Sequence, residues 1–298
     1  MKVSVKSNGK INIGLNIIEK LPNGYHSLDM IMAPISLADN MEINFTGKKG
    51  KLLISSNKKE IPTDEKNILW KVYNAFYNFL EKEPDEIEVY LYKVIPHEAG
   101  LGGGSSNGAF FLKELNKYNG NILNDEKLMG IGKTVGADIP FFIKNYSCRV
   151  KGIGENLERI ENNLECDIVL IKPNFGVSTK EAYNLYSTLK IKKDANIDKI
   201  IKGLKENNLE EIEKNTENIL EQGLLVANEN IKSFRNELNE LNELNELNEL
   251  NEKCSTKFFM SGSGSCYYTF CSKGKGNEYA KSLKTKISNC QIYSCSFL

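Results

Sequence analysis

The stretch "IPHEAGLGGGSSNGAFFLKELN", residues 95–116, places four glycines within five positions directly before a segment of helical character. Glycine lets backbone N–H groups approach a ligand closely and adopt positive φ. The preceding "EIEVYLYKVI" (86–95) has the β-branched and aromatic composition of a strand. A strand, a glycine loop and a helix N-terminus predict a phosphate site, because unpaired N–H groups and the helix dipole both favour an anion.

Ser105, Ser106 and Asn107 are residue types that favour a helix N-cap, so we expect the helix to start near Ser106. The alternative is a tight flexible turn. Two better-known phosphate loops do not match: Lys127 stands where a P-loop ending at Gly132–Thr134 needs its first glycine. Ser105 likewise stands where the dinucleotide fingerprint needs its last glycine. The loop therefore belongs to another phosphate-binding design.

The composition excludes several classes of protein. The 298 residues suffice for two domains. The 39 basic and 39 acidic residues balance, so the chain has no excess of positive charge that would attract nucleic acid or an anionic membrane. No apolar run approaches the roughly 20 residues of a membrane helix, and the N-terminus reads as a strand and not as a signal peptide. We expect a cytoplasmic protein that binds neither nucleic acid nor membrane.

The seven cysteines do not predict a disulfide framework, since their number is odd and no secretory signal precedes them. The pairs Cys266/Cys271 and Cys290/Cys295 suggest a zinc site. However, "CYYTFC" reads as a strand, on which positions five apart face opposite sides, and the spacing misses the usual structural-zinc pattern. Zinc is therefore the less favoured interpretation.

Strands and helices alternate along the chain without regular βαβ spacing, which predicts an α+β fold. We expect a β-rich start, a helix at about 65–82 capped by Asp64, a helix at about 125–135 capped by Asp125, and a strand beginning in "GADIPFF". The second half predicts a compact α/β sandwich, in which a Ser/Thr cap opens the helix of "VSTKEAYNLY" and "KFFMSGSGSCYYTFC" forms strand, loop and strand.

Residues 236–253 hold five consecutive Asn-Glu-Leu triplets followed by Asn-Glu-Lys. A step of three residues turns about 300° around a helix, so successive leucines drift by about 60° and share no single face. We therefore expect an acidic, exposed, low-complexity spacer, either helical or partly disordered.

Four clusters contain side chains suited to small-molecule chemistry. Lys10 and Asn12 point to one face of the first strand, since residues i and i+2 do so. Tyr25 and His26 sit in a turn, where they either hold a heterocyclic base or pack as ordinary turn residues. Asp138 is either a helix cap or a partly buried base. The loop "MSGSGS" (260–265) is either a second backbone-rich binding loop or a hairpin bulge.

The order of "GKINIGLNI", "NGYHSLDMIMAPISLAD", "IPHEAGLGGGSSNGA", "GADIPFF", "KPNFGVST" and "MSGSG" resembles the GHMP kinase superfamily over nearly the whole chain, apart from the repeat. Within it, the pairing of GYHSL with GADIPFF resembles the branch that phosphorylates the 2-hydroxyl of 4-diphosphocytidyl-2-C-methyl-D-erythritol. The resemblance implies an N-terminal domain like ribosomal protein S5 domain 2 at 1–160 and a ferredoxin-like domain at 161–298, with the repeat as an insertion and the active site between them.

The resemblance also implies the site residues. Lys10 and Asp138 are the expected catalytic pair, and Mg²⁺ is expected with ATP, with the Ser106 hydroxyl as its candidate ligand. The second loop contributes Ser261, Gly262, Ser263 and Gly264. The cytidyl substrate is expected at Asn12, Tyr25, His26, Thr179 and Tyr183. ATP is expected at Asn67, Lys93, Pro96, His97, Glu98, Ala99, Gly100, Leu101, Gly102, Gly103, Gly104, Ser105, Ser106 and Asn107.

His97 and Glu98 depart from the superfamily pattern, which has small residues there, and they place a carboxylate near a bound triphosphate. The implied enzyme is an ATP-dependent kinase, monomeric or a weak homodimer. Its rivals are a GHMP kinase for another alcohol, such as mevalonate or homoserine, and a non-catalytic RNA-binding protein built on the S5-like half. The neutral charge and the complete Lys10/Asp138 pair argue against RNA binding.

Overall fold

A computed structural model describes residues 1–22, 24–187, 189, 192–245, 255 and 257–298, with side chains for all of these except 242–245. The chain forms two compact units of interleaved segments. Unit 1 comprises Met1–Gly9, Ala38–Ile95 and Gly102–Tyr146, and unit 2 comprises Lys10–Leu37, Pro96–Leu101 and Ser147–Leu298. The domain boundary after residue 160 stays a prediction. Two long strands, β1 (Lys2–Lys20) and β2 (His26–Lys49), pair with each other and contribute residues to both units.

Unit 1 combines strands with a group of helices. Strand β4 (Asp85–Tyr92) pairs antiparallel with β2 over Asn40–Lys49 and parallel with β3 (Leu52–Ser56). From Ile87 onward, every second residue of β4 is buried, which is the alternation of a strand with one face on the core. The helices of this unit, which pack on one another, are α1 (Ile68–Leu80), α2 (Gly103–Tyr118), α3 (Asp125–Val135) and α4 (Ile139–Lys144).

Two predicted helix caps in unit 1 were wrong by a few residues. The cap of α1 is Asn67, whose side chain accepts a hydrogen bond from the Leu69 N–H, whereas Asp64 accepts one from the Lys66 N–H in the preceding turn. Helix α3 is capped by Asn124, and Asp125 is its first helical residue. In both places asparagine supplies the acceptor, and Asp125 complements the helix dipole from within the first turn.

Two further expectations in unit 1 need correction. Helix α2 begins at Gly103 after a left-handed N-cap at Gly102, with φ of 69°, so the serines and Asn107 lie inside the helix. The apolar run of "GADIPFF" forms helix α4 and not a strand. Proline in the first turn of α4 is compatible with this, because the N–H that proline lacks has no helical partner there.

Unit 2 contains an antiparallel sheet in the order β10–β7–β9–β8 among the described residues. Strand β2 pairs over Leu28–Met32 with β5, which pairs with β6. The strands are β5 (Cys148–Gly152), β6 (Asn156–Arg159), β7 (Cys166–Pro173), β8 (Phe259–Met260), β9 (Tyr267–Ser272) and β10 (Cys290–Ser296). The helices are α5 (Thr179–Tyr186), α6 (Ile197–Lys205), α7 (Leu209–Asn215), α8 (Ile219–Ala227), α9 (Glu229–Asn245) and α10 (Gly276–Lys286).

Ser178 caps α5 through a hydrogen bond from the Glu181 N–H, as the sequence predicted. The predicted order of strand, loop and strand is confirmed for β8 and β9. In the part of the chain that the structure describes, no helix has the length and apolarity needed to cross a membrane.

The first two leucines of the Asn-Glu-Leu repeat are buried, contrary to the prediction of an exposed spacer, while Asn236, Asn239 and Glu240 are exposed. Ile231, Phe234, Leu238 and Leu241 are all buried along α9. Their spacing of three, four and three residues forms one helix face. The first two leucines of the repeat therefore continue a stripe that starts upstream of it. The later triplets, from residue 246 onward, lie outside the described residues.

Candidate active site

The phosphate-loop motif forms the N-terminus of α2. The N-cap Gly102 makes no side-chain capping bond. A helix leaves the N–H groups of its first turn without intrahelical partners, so those of Gly103, Gly104 and Ser105 lie where an anion would be favoured. This local geometry is the one that the glycine run predicts.

Gly100 comes into close contact with the second small-residue loop, both within unit 2. Its φ is +70°, and a Cβ on it would overlap the carbonyl oxygen of Ser261. The Ser261 hydroxyl donates to the Gly100 carbonyl over 3.1 Å. Only glycine combines this backbone conformation with so close an approach. The two loops therefore support each other in unit 2.

Lys10 is buried, with 4% of its surface exposed. Its Nζ donates to the Gly100 carbonyl over 2.6 Å and to Asn12 Oδ1 over 2.5 Å. Lys10 and Asn12 thus lie side by side on one face of β1, as the strand alternation predicts. An ammonium fixed on the phosphate-loop backbone is a preorganised positive charge.

Asn12 is held on all sides. Its amide donates to Met30 Sδ over 3.1 Å, its backbone N–H donates to the Ser261 hydroxyl over 3.3 Å, and its carbonyl accepts from the Tyr268 hydroxyl over 2.9 Å. This asparagine is therefore fixed by β2, by the second loop and by β9.

Asp138 occupies the N-cap position of α4 and is half-buried, yet its side chain makes no capping hydrogen bond. Asp138 therefore stands at the N-cap position, but its carboxylate does not cap the helix through a hydrogen bond. Gly136, two residues earlier, lies close to the α2 N-terminus, since a Cβ on it would be 3.6 Å from Ser105 Oγ.

Lys93 and Asn107 are buried in a polar network around Asp39, a residue that sequence reasoning missed. Lys93 pairs with Asp39 Oδ2 and donates to Asn107 Oδ1 over 2.9 Å. The Asn107 amide donates to Asp39 Oδ2 over 3.0 Å and to the Ser7 hydroxyl over 2.7 Å. The signal in the sequence was a single acid at the end of the apolar run "MIMAPISLAD".

Two other predicted ATP residues already have structural partners in unit 1. Asn67 is buried and its amide donates to the Pro62 carbonyl over 2.6 Å, in addition to its capping bond. Ser106 is fully buried, and its hydroxyl donates to the Asn8 carbonyl over 2.6 Å. Asn67 therefore fixes the segment before α1, and Ser106 links α2 to β1.

His97 and Glu98 are exposed. Glu98 has a left-handed φ of 48°, and its carboxylate lies against Gly176 in the turn after β7. The carboxylate thus packs on the segment "PNFGV", whose carbonyls at Pro173 and Phe175 accept hydrogen bonds from Lys172 over 2.8 and 2.7 Å. Burial lowers the pKa of Lys172, and the negative charge of Glu98 acts in the opposite sense.

The predicted acceptor residues form an aromatic group in unit 2. The His26 ring lies 4.9 Å from that of Tyr183 at 31°, and Tyr186 meets His26 edge-on at 6.0 Å. Tyr25 is 61% exposed. Burial, and then the charges of Lys20 and Lys192, lower the pKa of His26, so the imidazole is neutral at pH 7.

Thr179 and the second loop also meet in unit 2, where Thr179 Oγ1 and Ser263 Oγ are 3.2 Å apart. Asn218 is a further residue that sequence reasoning missed. Its amide donates to the carbonyls of Met260 and Gly262, both over 2.8 Å, and its Oδ1 caps α8. No local pattern marked it, since asparagine is frequent in this chain.

The chain resembles known kinases in sequence. Residues 67–145 match the family described as GHMP kinases N terminal domain. A protein of Fusobacterium nucleatum subsp. nucleatum, named 4-diphosphocytidyl-2-C-methyl-D-erythritol kinase, is 49% identical over 295 residues, which cover 99% of this chain and 97% of that one. A kinase of the same name from Clostridium tetani is 37% identical over 236 residues, or 79% and 83% of the two chains.

Solved structures show the same fold. A crystal structure of 4-(cytidine 5'-diphospho)-2C-methyl-D-erythritol kinase matches with a TM-score of 0.78 at 24% identity, over 99% of both chains. A homoserine kinase from Cytophaga hutchinsonii matches with a TM-score of 0.73 at 17% identity, over 99% of this chain and 95% of that one. The α+β fold is therefore confirmed, while structural likeness at these identities does not separate one kinase from another.

The fold, the glycine loop at a helix N-terminus and these relatives define an ATP-dependent small-molecule kinase of the GHMP class. Within that class the chain belongs to the family of 4-diphosphocytidyl-2-C-methyl-D-erythritol kinases, as its identity to the Fusobacterium nucleatum enzyme over nearly its whole length shows.

Proposed function

We propose that the chain transfers the γ-phosphoryl group of ATP to the 2-hydroxyl of 4-diphosphocytidyl-2-C-methyl-D-erythritol, giving the 2-phosphate and ADP in the non-mevalonate route to isopentenyl diphosphate. The observation that carries this proposal is the 49% identity, over 99% of the chain, to a kinase of that name. The ammonium of Lys10, fixed on the carbonyl of Gly100, agrees with it, because it places a positive charge on the phosphate loop.

Asp138 and Lys10 are the proposed catalytic residues. Asp138 accepts the proton of the attacking hydroxyl, a role that suits a half-buried carboxylate whose side chain does not cap its own helix. Lys10 stabilises negative charge on the attacking oxygen or the transferred phosphoryl group. Little covalent chemistry is required of the protein, since phosphoryl transfer depends mainly on positioning and charge stabilisation.

The loop from Pro96 to Ser106 is the proposed triphosphate site, with the α2 N-terminus facing the β-phosphate. Mg²⁺ accompanies ATP in this proposal and neutralises phosphate charge. Ser106 fits a metal ligand poorly, because it is fully buried and its hydroxyl donates to Asn8. Ser105 fits better, since it is half-buried in the first turn and lies close to Gly136. Asn67 is proposed to shape the ATP site through its cap on α1.

The cytidyl group is proposed to bind at the aromatic cluster of unit 2. The cytosine would lie between Tyr25 and Tyr183, while the neutral imidazole of His26, whose ring is 4.9 Å from that of Tyr183 and tilted by 31°, offers one donor and one acceptor to the base edge. Asn12 and Thr179 would bind the remaining polar groups. Discrimination against a uridyl analogue is expected, because one imidazole tautomer does not suit both base edges equally.

The test is a turnover assay that follows ADP release with ATP and Mg²⁺. The cytidyl substrate is compared with mevalonate and homoserine at equal concentration, with the uridyl analogue as the control for base recognition. Turnover of the cytidyl compound alone supports the proposal. Faster turnover of mevalonate or homoserine would assign the chain to another alcohol, and equal turnover of the uridyl analogue would remove His26 from base recognition.

A further inference from the structure

Asp39 is a fully buried acid near the phosphate loop to which no role in the reaction has been assigned. Its side chain is 0% exposed, and those of its two polar neighbours Lys93 and Asn107 are 8% and 2% exposed. A charge is retained in such a place only when it is paired and hydrogen-bonded. The three residues therefore act as one unit, which we call the Asp39 network.

The two carboxylate oxygens of Asp39 have different partners. Oδ1 accepts the backbone N–H groups of Val94 and Ile95 over 2.7 and 2.8 Å. Oδ2 pairs with Lys93 and accepts from the Asn107 amide over 3.0 Å. Val94 and Ile95 precede the glycine loop, and Asn107 lies in α2 after it. One carboxylate thus holds the chain on both sides of the loop.

The position of Lys93 also bears on its role. Two of its three ammonium donors are used inside unit 1, on Asp39 and Asn107. Its Nζ lies beneath the start of α2, since a Cβ on Gly103 would be 3.3 Å from it. The Asp39 carboxylate therefore neutralises the charge of Lys93 close to the backbone at the start of α2.

Fixing both ends of a glycine loop has an energetic consequence. Glycine loses more conformational freedom on ordering than any other residue. A loop whose ends are already fixed loses less entropy when it binds a ligand, and it therefore binds more tightly. The Oδ1 bonds of Asp39 are placed to supply this preorganisation.

We propose that Asp39 is the positioning residue of the phosphate loop, and that Lys93 acts on ATP affinity through its pair with Asp39 and not by contact with the nucleotide. This inference rests on the proposed use of the loop for ATP. The two hydrogen bonds that Val94 and Ile95 donate to Asp39 raise ATP affinity by fixing the loop, and the ion pair with Lys93 keeps the Asp39 carboxylate in place to accept them.

Two matched double variants separate the positioning bonds from the charges. Asp39→Asn with Lys93→Met removes both charges but keeps an oxygen for Val94 and Ile95. Asp39→Ala with Lys93→Met removes the charges and that oxygen. Replacing both partners of a buried ion pair is tolerated far better than removing one, which leaves an uncompensated charge. Lys117→Met, on an exposed lysine at the far end of α2, is the control for loss of a positive charge.

The readout is the Kd of a non-hydrolysable ATP analogue, measured by calorimetry without the alcohol substrate, beside KM for both substrates and a thermal melt. We expect the alanine double variant to bind the analogue about 10-fold or more weakly than the asparagine double variant, as the loss of two hydrogen bonds predicts. KM for the alcohol should change by less than about 3-fold between the two, since the loss lies in the ATP loop. Lys93→Met alone should bind worse than the asparagine double variant, because it leaves Asp39 unpaired.

Equal analogue affinity in the two double variants would overturn the positioning role of Asp39. Equally weak binding by Lys93→Met and the asparagine double variant would mean that Lys93 itself contacts ATP. Parallel loss of affinity for both substrates in the alanine double variant would indicate general destabilisation and contradict the proposal. If the alanine double variant does not fold, the comparison of Lys93→Met with the asparagine double variant tests the proposal by itself. Tighter analogue binding after Asp39→Asn is added to Lys93→Met supports the proposal, and unchanged binding refutes it. A wrong assignment of the alcohol would appear only in turnover, since analogue binding does not depend on it.

Discussion

Two groups of candidate site residues, the Asp39 network of unit 1 and the aromatic cluster of unit 2, are held by different means. In unit 1 the support beneath α2 is charged and closed, with Asp39, Lys93 and Asn107 all buried and bonded to one another. In unit 2 the aromatic cluster is partly open: the ring of His26 lies 4.9 Å from that of Tyr183 at 31°, Tyr186 is buried, and Tyr25 is 61% exposed. A buried, hydrogen-bonded ion pair is already ordered before a ligand binds, whereas we expect a partly exposed aromatic cluster to become ordered when a ligand packs on it.

The difference predicts where substitutions act. Changes in the nucleotide part of unit 1 should affect chemistry or ATP binding, and often stability as well, because they disturb buried polar groups. Changes in the aromatic cluster should affect the affinity for the alcohol substrate with little loss of stability.

The largest effect is expected for Asp138→Asn, which keeps the shape of the side chain but removes the proton acceptor. The kcat should fall about 100-fold or more, the usual contribution of a positioned general base. KM for ATP should change little, since Asp138 is not proposed to hold the nucleotide. Steady-state kinetics with both substrates measures this, and near-normal kcat in the variant would contradict the assigned mechanism.

Tyr25→Ala should come next, and its effect should be confined to the alcohol substrate. Stacking of a base on an aromatic ring contributes about 1–3 kcal/mol, which corresponds to a rise in KM of about 5- to 150-fold. The Kd for ATP, measured by calorimetry, should stay unchanged. The melting temperature should also stay close to that of the wild type, because the ring is largely exposed.

Tyr90→Ala is a matched control, because Tyr90 is an exposed tyrosine on β4 in unit 1. Its KM for the alcohol should equal that of the wild type. If Tyr25→Ala instead weakens ATP binding alone, the cytidyl pocket is misplaced, and the contrast between the two units fails in unit 2.

A smaller effect is expected from the titration of His26. Its pKa is lowered from the usual value of about 6.5, first by burial and then by Lys20 and Lys192. Because the unfolded chain takes up this proton at a higher pH than the folded chain, the contribution of His26 to stability is present above about 6.5 and is lost as pH falls through the folded pKa. Protonation also removes the acceptor nitrogen that the base edge would use.

KM for the alcohol should therefore stay flat from pH 8 down to about 6.5 and rise several-fold below it, since a lowered pKa delays protonation. In His26→Gln that rise should be absent, whatever the level of KM. The measurement is a pH profile of KM for the wild type and the variant under conditions in which both remain folded. The same rise in both proteins would show that another group is responsible.

The sequence predicted those parts of the fold and site in which local pattern and final contacts agree. The glycine run at the start of α2, and the alternation that sets Lys10 beside Asn12, were predictable because local backbone geometry decides them. The register of Asp39 with Lys93 was not, because these residues are 54 positions apart and meet only through strand pairing. Asn218 was missed for the same reason, since its partners at Met260 and Gly262 are remote in sequence.

Two errors came from reading segments in isolation. The apolar run in "GADIPFF" is too short for its period to separate strand from helix, and the proline in the first turn of α4 was the signal that favoured a helix. In the Asn-Glu-Leu repeat, the period of three by itself defines no apolar face. The face is set upstream by Ile231 and Phe234, and Leu238 and Leu241 continue it.

The smallest effect on turnover is expected for Leu238→Ala, which tests whether the repeat begins as part of the core of unit 2. Leu238 is 0% exposed, so truncation should lower the free energy of unfolding by about 2–5 kcal/mol, through lost burial and the cavity left behind. Leu238 is not one of the proposed site residues, so kcat and both KM values should match the wild type at temperatures well below the melting transition. Asn239→Ala, on the exposed face one residue further along α9, is the control and should change stability by less than about 0.5 kcal/mol. Urea denaturation of both variants gives the comparison. Equal midpoints would show that α9 contributes nothing through this stripe, whereas a loss of stability confined to Leu238→Ala would establish that the first triplets of the repeat are structural even though the reaction does not use them.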